Sequence, residues 1–118
     1  MNILIAEDDE LILRTVEHKL TKEGYNVLIA QNGKEAIDII NKENLDLIIT
    51  DIMMPFASGT EILAAVRSSG KNVPVIVLSG MGQEEVVLES FDLGALDFMV
   101  KPFSPNELLL RIKRLKLK

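Results

Sequence analysis

Cysteine and tryptophan are absent from the 118 residues, and His18 is the single histidine. Disulfides, thiolate metal sites and multi-histidine metal sites are thereby excluded. The lack of cysteine is compatible with a reducing compartment, and a cytoplasmic location is expected. Aromatics are sparse, four Phe and one Tyr, so the core must be aliphatic. No apolar run approaches the ~20 residues that a membrane helix needs. Met1-Asn2-Ile3-Leu4 offers no basic stretch ahead of an apolar one, so no secretory leader and no membrane role are expected. A Gly-x-x-x-x-Gly-Lys loop is missing, which argues against a nucleotide switch. Excess positive charge is missing as well. The net charge of −5 argues against direct nucleic acid binding. Only the ending is basic, with Arg111, Lys113, Arg114, Lys116 and Lys118, and it reads as a solvated helix whose charges complement the helix dipole.

What is present is a regular alternation. A chain of this length makes one domain, 1–118, that buries roughly two thirds of its unfolded surface without staples. Short runs rich in Ile, Leu and Val alternate with longer segments of helical period, with no linker or repeat between them. That pattern predicts consecutive βα units and a parallel sheet of five strands with five helices. The runs are apolar throughout, as strands covered on both faces must be.

The helix signals are specific. Leu13, Val16 and Leu20 share a face, and Gly24 follows as a stop. Asn32 with Glu35 can cap the segment carrying Ala36, Ile37 and Ile40. Ser58 with Glu61 reads as a capping box before Ile62, Leu63 and Val66. Ser104-Pro105-Asn106-Glu107 combines a cap, a proline at the first helical position and an acid at the third, and Leu108, Ile112 and Leu115 should then face the core. Gly82 to Phe91 is the least marked segment. It reads as a helix with Val87, Leu88 and Phe91 apolar, flanked by Gly80, Gly82 and Gly94.

The polar residues that end the apolar runs carry the functional reading. Glu7 and Asp8 end Ile3–Ala6, Asp51 ends Leu47–Thr50, Ser79 ends Val75–Leu78, and Lys101 ends Phe98–Val100. In a parallel sheet these groups meet at the carboxyl edge, where open α/β sheets place their ligands. Asp51 can attack a phosphoryl group and form an acyl phosphate. Glu7 and Asp8 would repel each other and Asp51 unless a cation joins them, and an all-oxygen set suits Mg²⁺ or Mn²⁺. Asp9 and Glu10 instead suit the start of the first helix. Lys101 can hold a phosphoryl oxygen as a point charge, and Ser79 can donate to one. Each residue alone also fits a plain turn or a surface position; the joint placement is what points to phosphoryl chemistry.

Ile3 to Asp9, Asp51-Ile52-Met53-Met54-Pro55 with Gly59, Leu78-Ser79-Gly80, and Gly94 to Phe103 together resemble the receiver domain of two-component response regulators. The resemblance spans essentially the whole chain. It implies a flavodoxin-like sheet of order 2-1-3-4-5 with helices on both faces. It also implies that Asp51 is the phospho-acceptor, served by a sensor histidine kinase or a phosphotransfer protein. Asp8 would bind Mg²⁺ directly, Glu7 through water, and Asp51 and the Met53 carbonyl would complete the protein's ligands. Lys101 would bind the phosphoryl group beside a cis bond to Pro102. Ser79 and Phe98 would be the switch pair. Glu7 stands where Asp is commoner, Gly80 where Ala is commoner, and Phe98 where Tyr is frequent, so any output that needs a phenol hydroxyl is lost.

The same resemblance implies an output face running from Val86 through Phe103 to the last helix, facing a downstream protein or domain. Glu107, Arg111 and Asp97 fit half of a charge-paired homodimer, but Val87, Leu93 and Leu96 stand where charged partners belong. Met53 and Met81 flank the site two residues past Asp51 and Ser79. As weak acceptors they orient water poorly, so self-dephosphorylation is expected to be slow. Two other readings remain. One is a phosphate-independent interaction module on the same fold. The other is an aspartate-nucleophile phosphohydrolase, which would want an acid where Met53 stands.

Overall fold

Runs of β-branched and aliphatic residues that are apolar on both faces bury best as inner strands, and the helical stretches between them supply the covering layers. The computed structural model describes residues 1–115 and has this architecture, with β1 Asn2–Ala6, α1 Glu10–Lys22, β2 Asn26–Ala30, α2 Gly33–Lys42, β3 Leu47–Asp51, α3 Gly59–Ser68, β4 Val75–Ser79, α4 Glu84–Asp92, β5 Asp97–Val100 and α5 Pro105–Arg114. All strand pairs are parallel, in the order β2-β1-β3-β4-β5. Alternation along the strands divides the core in two. Ile3, Ile5, Ile49 and Leu78 face α1 and α5, whereas Leu4, Ala6, Ile48 and Val77 face α2 and α3. None of the described helices is long and apolar enough to cross a membrane.

The helix starts follow the sequence signals. Asp9 Oδ1 accepts the amides of Leu11 and Ile12, at 3.0 and 3.2 Å. Asn32 Oδ1 accepts that of Glu35 at 2.9 Å, Ser58 and Glu61 form the capping box, and Ser104 Oγ accepts the Asn106 amide at 3.1 Å. Gly24 follows α1 with φ +93°, a left-handed conformation open to glycine at little cost. Lys71 closes the other end of α2, its Nζ donating to the Ile40 and Glu43 carbonyls at 2.6 and 3.1 Å. Leu115 is half-buried against the α1–α5 core. Lys116 and Lys118 of the basic ending lie outside the described residues.

α4 forms in the segment least marked as a helix in the sequence. Val87 is buried, but Leu88 is 64% exposed and Phe91 38%. Neighbours in a helix point about 100° apart, and α4 turns Val87 to the core and Leu88 to the surface. Its first turn also lacks a side-chain cap.

Two glycines let the β3–α3 connection lie flat against its surroundings. A Cβ on Gly59 would stand 2.8 Å from Ile52 Cα and 3.0 Å from the Asp51 carbonyl. A Cβ on Gly33 would collide with Ala57, and the Gly33 amide donates to the Pro55 carbonyl at 3.2 Å. Gly33→Ala is therefore expected to destabilise the protein by ~1–3 kcal/mol, the usual cost of overpacking. Urea unfolding would show it as a lower midpoint at an unchanged m value.

Candidate functional site

The carboxyl edge of the sheet is assembled by the ladder itself. The Glu7 amide donates to the Ala30 carbonyl at 3.0 Å, that of Ile52 to Leu78 at 2.9 Å, and that of Lys101 to Ser79 at 2.7 Å. β1, β3, β4 and β5 thus end level with one another. At these ends stand Asp51 and Ser79, the last residues of β3 and β4, and Glu7 and Lys101, the first residues past β1 and β5, all singled out from sequence.

Lys101 joins the group. Its Nζ lies 2.9 Å from Asp51 Oδ2 and 3.1 Å from Glu7 Oε1, donating to both. Glu7 Oε2 is 2.8 Å from the same nitrogen but off the hydrogen-bond direction, and it accepts no hydrogen bond. Glu7 is fully buried, Asp51 is 6% exposed and Asp8 is exposed. Glu7 Oε1 also accepts the Asp9 amide at 3.0 Å, and Asp51 Oδ1 accepts that of Met53 at 3.4 Å. The bond between Lys101 and Pro102 is cis, as the resemblance implied.

Burial pushes the Glu7 carboxyl from its ordinary 4.5 up to about 7, against the opposing pull of the Lys101 hydrogen bond, and the Asp51 charge adds to the rise. Burial would also lower Lys101, but its hydrogen bonds to Glu7 and Asp51 outweigh that and hold it above its ordinary value. Lys101 therefore stays protonated, a fixed positive charge between two carboxylates.

Glu7, Asp8 and Asp51 can each present a carboxylate oxygen within 4.8 Å of the others. This all-oxygen set fits a hard divalent cation such as Mg²⁺, and the buried Glu7 Oε2, which accepts no hydrogen bond, is the kind of acceptor that a cation or its bound water satisfies.

Ser79 is brought to the same edge but faces elsewhere. The residue is 1% exposed, and its hydroxyl donates to the Met99 carbonyl at 3.4 Å. Phe98 is half-buried against Phe91, edge to face, with ring centres 5.8 Å apart. Ser79, Phe91 and Phe98 share the lining of an apolar groove of about 420 Å³ between α4 and β5. Met53 and Met81 are 54% and 86% exposed. Asp97 and Glu107 both pair with Arg111 of their own chain, at 2.9 and 3.4 Å. Gln83 was not singled out from sequence. Its side-chain oxygen accepts the Gly80 amide at 2.5 Å, and an acceptor three residues past the amide, just before a helix, was the available signal.

The raised Glu7 value fixes the sign of a pH effect. The folded state binds the Glu7 proton more tightly than the unfolded chain, so stability falls as pH rises between about 4.5 and about 7. In chelator, Glu7→Gln is expected to gain on the wild type at pH 8 by on the order of 1–3 kcal/mol, and to lose most of that gain at pH 5. Thermal melts at both pH values check this; an equal shift at both would remove the ionised carboxylate as its cause.

The comparisons agree with this geometry. The family model described as "Response regulator receiver domain" matches residues 3–113. Response regulator RR06 of Streptococcus pneumoniae is 41% identical over 116 residues, which cover 98% of this chain and 52% of that protein. A probable transcriptional regulator, ycf29, of Pyropia yezoensis is 37% identical over 96% of this chain and 52% of its own length. The chain thus spans about half the length of these curated relatives. The Francisella response regulator 1452 receiver domain superposes with a TM-score of 0.88 at 37% identity, covering 97% of this chain and 94% of that one. A CheY-like receiver domain protein from Methanospirillum hungatei gives 0.90 at 34%, covering 97% and 91%. Receiver domains in general use Mg²⁺ at an acidic pocket, and the strand-end carboxylates here form such a pocket. With its sheet order, its acidic edge and a family match over nearly its full length, the chain belongs to the receiver domains of two-component response regulators.

Proposed function

We propose that this receiver domain, residues 1–118, is a phosphorylation switch whose phospho-acceptor is Asp51. The observation that carries the reading is Lys101 Nζ held between Glu7 and Asp51 beside a third carboxylate, Asp8. An Asp51 oxygen attacks phosphorus, the P–N bond of a phosphohistidine on a sensor kinase or phosphotransfer protein breaks, and the imidazole leaves with the bond's electrons. The product is an acyl phosphate. Lys101 stays protonated and pairs with the phosphoryl oxygens. Asp8 and Asp51, the Met53 carbonyl and, through water, Glu7 are the groups that would hold Mg²⁺ (or Mn²⁺). The ion's chemistry is to neutralise charge on the transferred group.

Switching requires the phosphoryl group to favour one conformation. Ser79 supplies the difference by turning from the Met99 carbonyl toward the phosphoryl oxygens, and Phe98 repacks into the α4–β5 groove behind it. Moving a population from 1:99 to 99:1 takes about 5.5 kcal/mol. One charge-assisted hydrogen bond supplies ~1.5–3 kcal/mol, so the repacking around Phe98 must contribute the rest. The readout surface is α4, β5 and α5, where Leu88, Leu96, Val100 and Leu110 are exposed and fit an apolar contact with a downstream protein or domain. A charge-paired homodimer would first have to open the Asp97–Arg111 pair.

Incubation with acetyl phosphate and Mg²⁺, followed by intact mass, tests the reading. A phosphate-sized gain that needs Mg²⁺ and disappears in Asp51→Asn is expected. No gain in the wild type would favour a phosphate-independent interaction module. Met53→Asn with Met81→Glu is expected to speed loss of the phosphate about tenfold, a barrier change of about 1.4 kcal/mol, by giving the attacking water better acceptors. An unchanged decay would mean that these two methionines only fill space.

A further inference from the structure

At the end of β4 two donors are already engaged. The Ser79 hydroxyl is turned to the Met99 carbonyl at 3.4 Å. The next amide, Gly80 N–H, is bound at 2.5 Å by the side-chain oxygen of Gln83, the residue that precedes α4. The first bond is long and weak; the second is short.

Gln83 occupies an unusual cap. Its backbone, at φ −106° and ψ 23°, is not extended, and its side chain makes no capping bond to the first turn of α4. The helix therefore begins without the side-chain cap that α1, α2, α3 and α5 have. The side chain reaches back to the sheet instead. α4 is consequently tied to β4 through one amide–amide hydrogen bond, one residue past Ser79. Beneath the helix lies the groove of about 420 Å³ lined by Ser79, Gly80, Val87, Leu88, Phe91 and Phe98. Space for rearrangement and the tie that resists it stand side by side.

We propose that Gln83 is a positioning residue for phosphoryl acceptance: its side-chain oxygen reserves the Gly80 amide in the resting state, and that bond must be surrendered when Asp51 is phosphorylated. The inference rests on the phospho-acceptor reading above. The Gly80 amide is the first donor past Ser79 at the edge where phosphate arrives. A phosphoryl oxygen carries charge and is a stronger acceptor than a neutral carboxamide, so it competes for the amide successfully. Release of Gln83 then frees a helix start that nothing else caps. One exchange of acceptors thus couples the acid cluster to α4. A methyl on Gly80 would meet the Gln83 oxygen at 3.5 Å, an ordinary contact, so the tie depends on the Gln83 side chain rather than on glycine at position 80.

Gln83→Met keeps length and helix propensity and removes the acceptor oxygen; Gln83→Glu keeps an acceptor. Amide exchange at Gly80 and the initial rate of Asp51 phosphorylation by acetyl phosphate with Mg²⁺ are measured for both, with the wild type alongside. Gln83→Met is expected to speed Gly80 exchange and to raise the phosphorylation rate about two- to tenfold, the range of one neutral hydrogen bond. Gln83→Glu is expected to retain Gly80 protection and to show no acceleration. A Gln83→Met protein with a deprotected Gly80 but an unchanged phosphorylation rate would overturn the positioning role. Acceleration in Gln83→Glu as well would also overturn it, because the acceptor would then be irrelevant. A wild type that takes up no phosphate would overturn the phospho-acceptor reading first and this inference with it, a result distinct from the other two.

Discussion

Everything at the carboxyl edge depends on one ammonium group. Two carboxylates at the ends of adjacent strands repel each other, and the full burial of Glu7 removes the water that would screen them. Lys101, delivered by β5 from the far side of the sheet, lies within 3 Å of an oxygen on each. Its contribution to stability is partly cancelled by the cost of desolvating all three groups. What it secures is geometry: acids at a separation that a divalent ion can use. The strand order matters for this reason, because it places β1 and β3 side by side and brings β5 within reach across β4.

The site is divided in its support. Glu7 directly follows β1, which is paired on both sides, and its amide is bound to the Ala30 carbonyl; Asp51 ends β3 and is paired with Leu78 of β4. The Ser79 hydroxyl and the Gly80 amide border a groove, each held by a single bond, beside a helix start that has no side-chain cap. Chemistry needs the first kind of support and signalling needs the second. Parallel strand ends supply both from one edge.

Much of this was legible in the sequence. The helix starts at Asn32, Ser58 and Ser104 could be read because caps are local: three or four residues hold the whole signal. The strand ends Glu7, Asp51, Ser79 and Lys101 could be read because a parallel sheet aligns them whatever the intervening loops do. The orientation of Leu88 and Phe91 could not, since a nine-residue helix at a sheet's margin has apolar residues to spare and tertiary contacts decide which are covered. The rotation of Ser79 toward Met99 was hidden for the same reason: its acceptor lies twenty residues away on another strand. The close approach of Gly33 to Ala57 joins the start of α2 to the β3–α3 loop, which no periodicity links. The Gln83–Gly80 bond is local, but glutamine rarely announces itself as a loop fastener.

β1 lies between β2 and β3, paired along its length with the former and through residues 3–6 with the latter. To expose Glu7 the chain would have to part both ladders and both halves of the core, which in a small domain approaches complete unfolding. Opening α4 asks for far less. Native-state exchange should therefore grade the molecule from a slow, globally protected acidic side to a fast, locally fraying side at α4, so that excursions of the signalling surface happen many times over without the acid cluster ever coming apart.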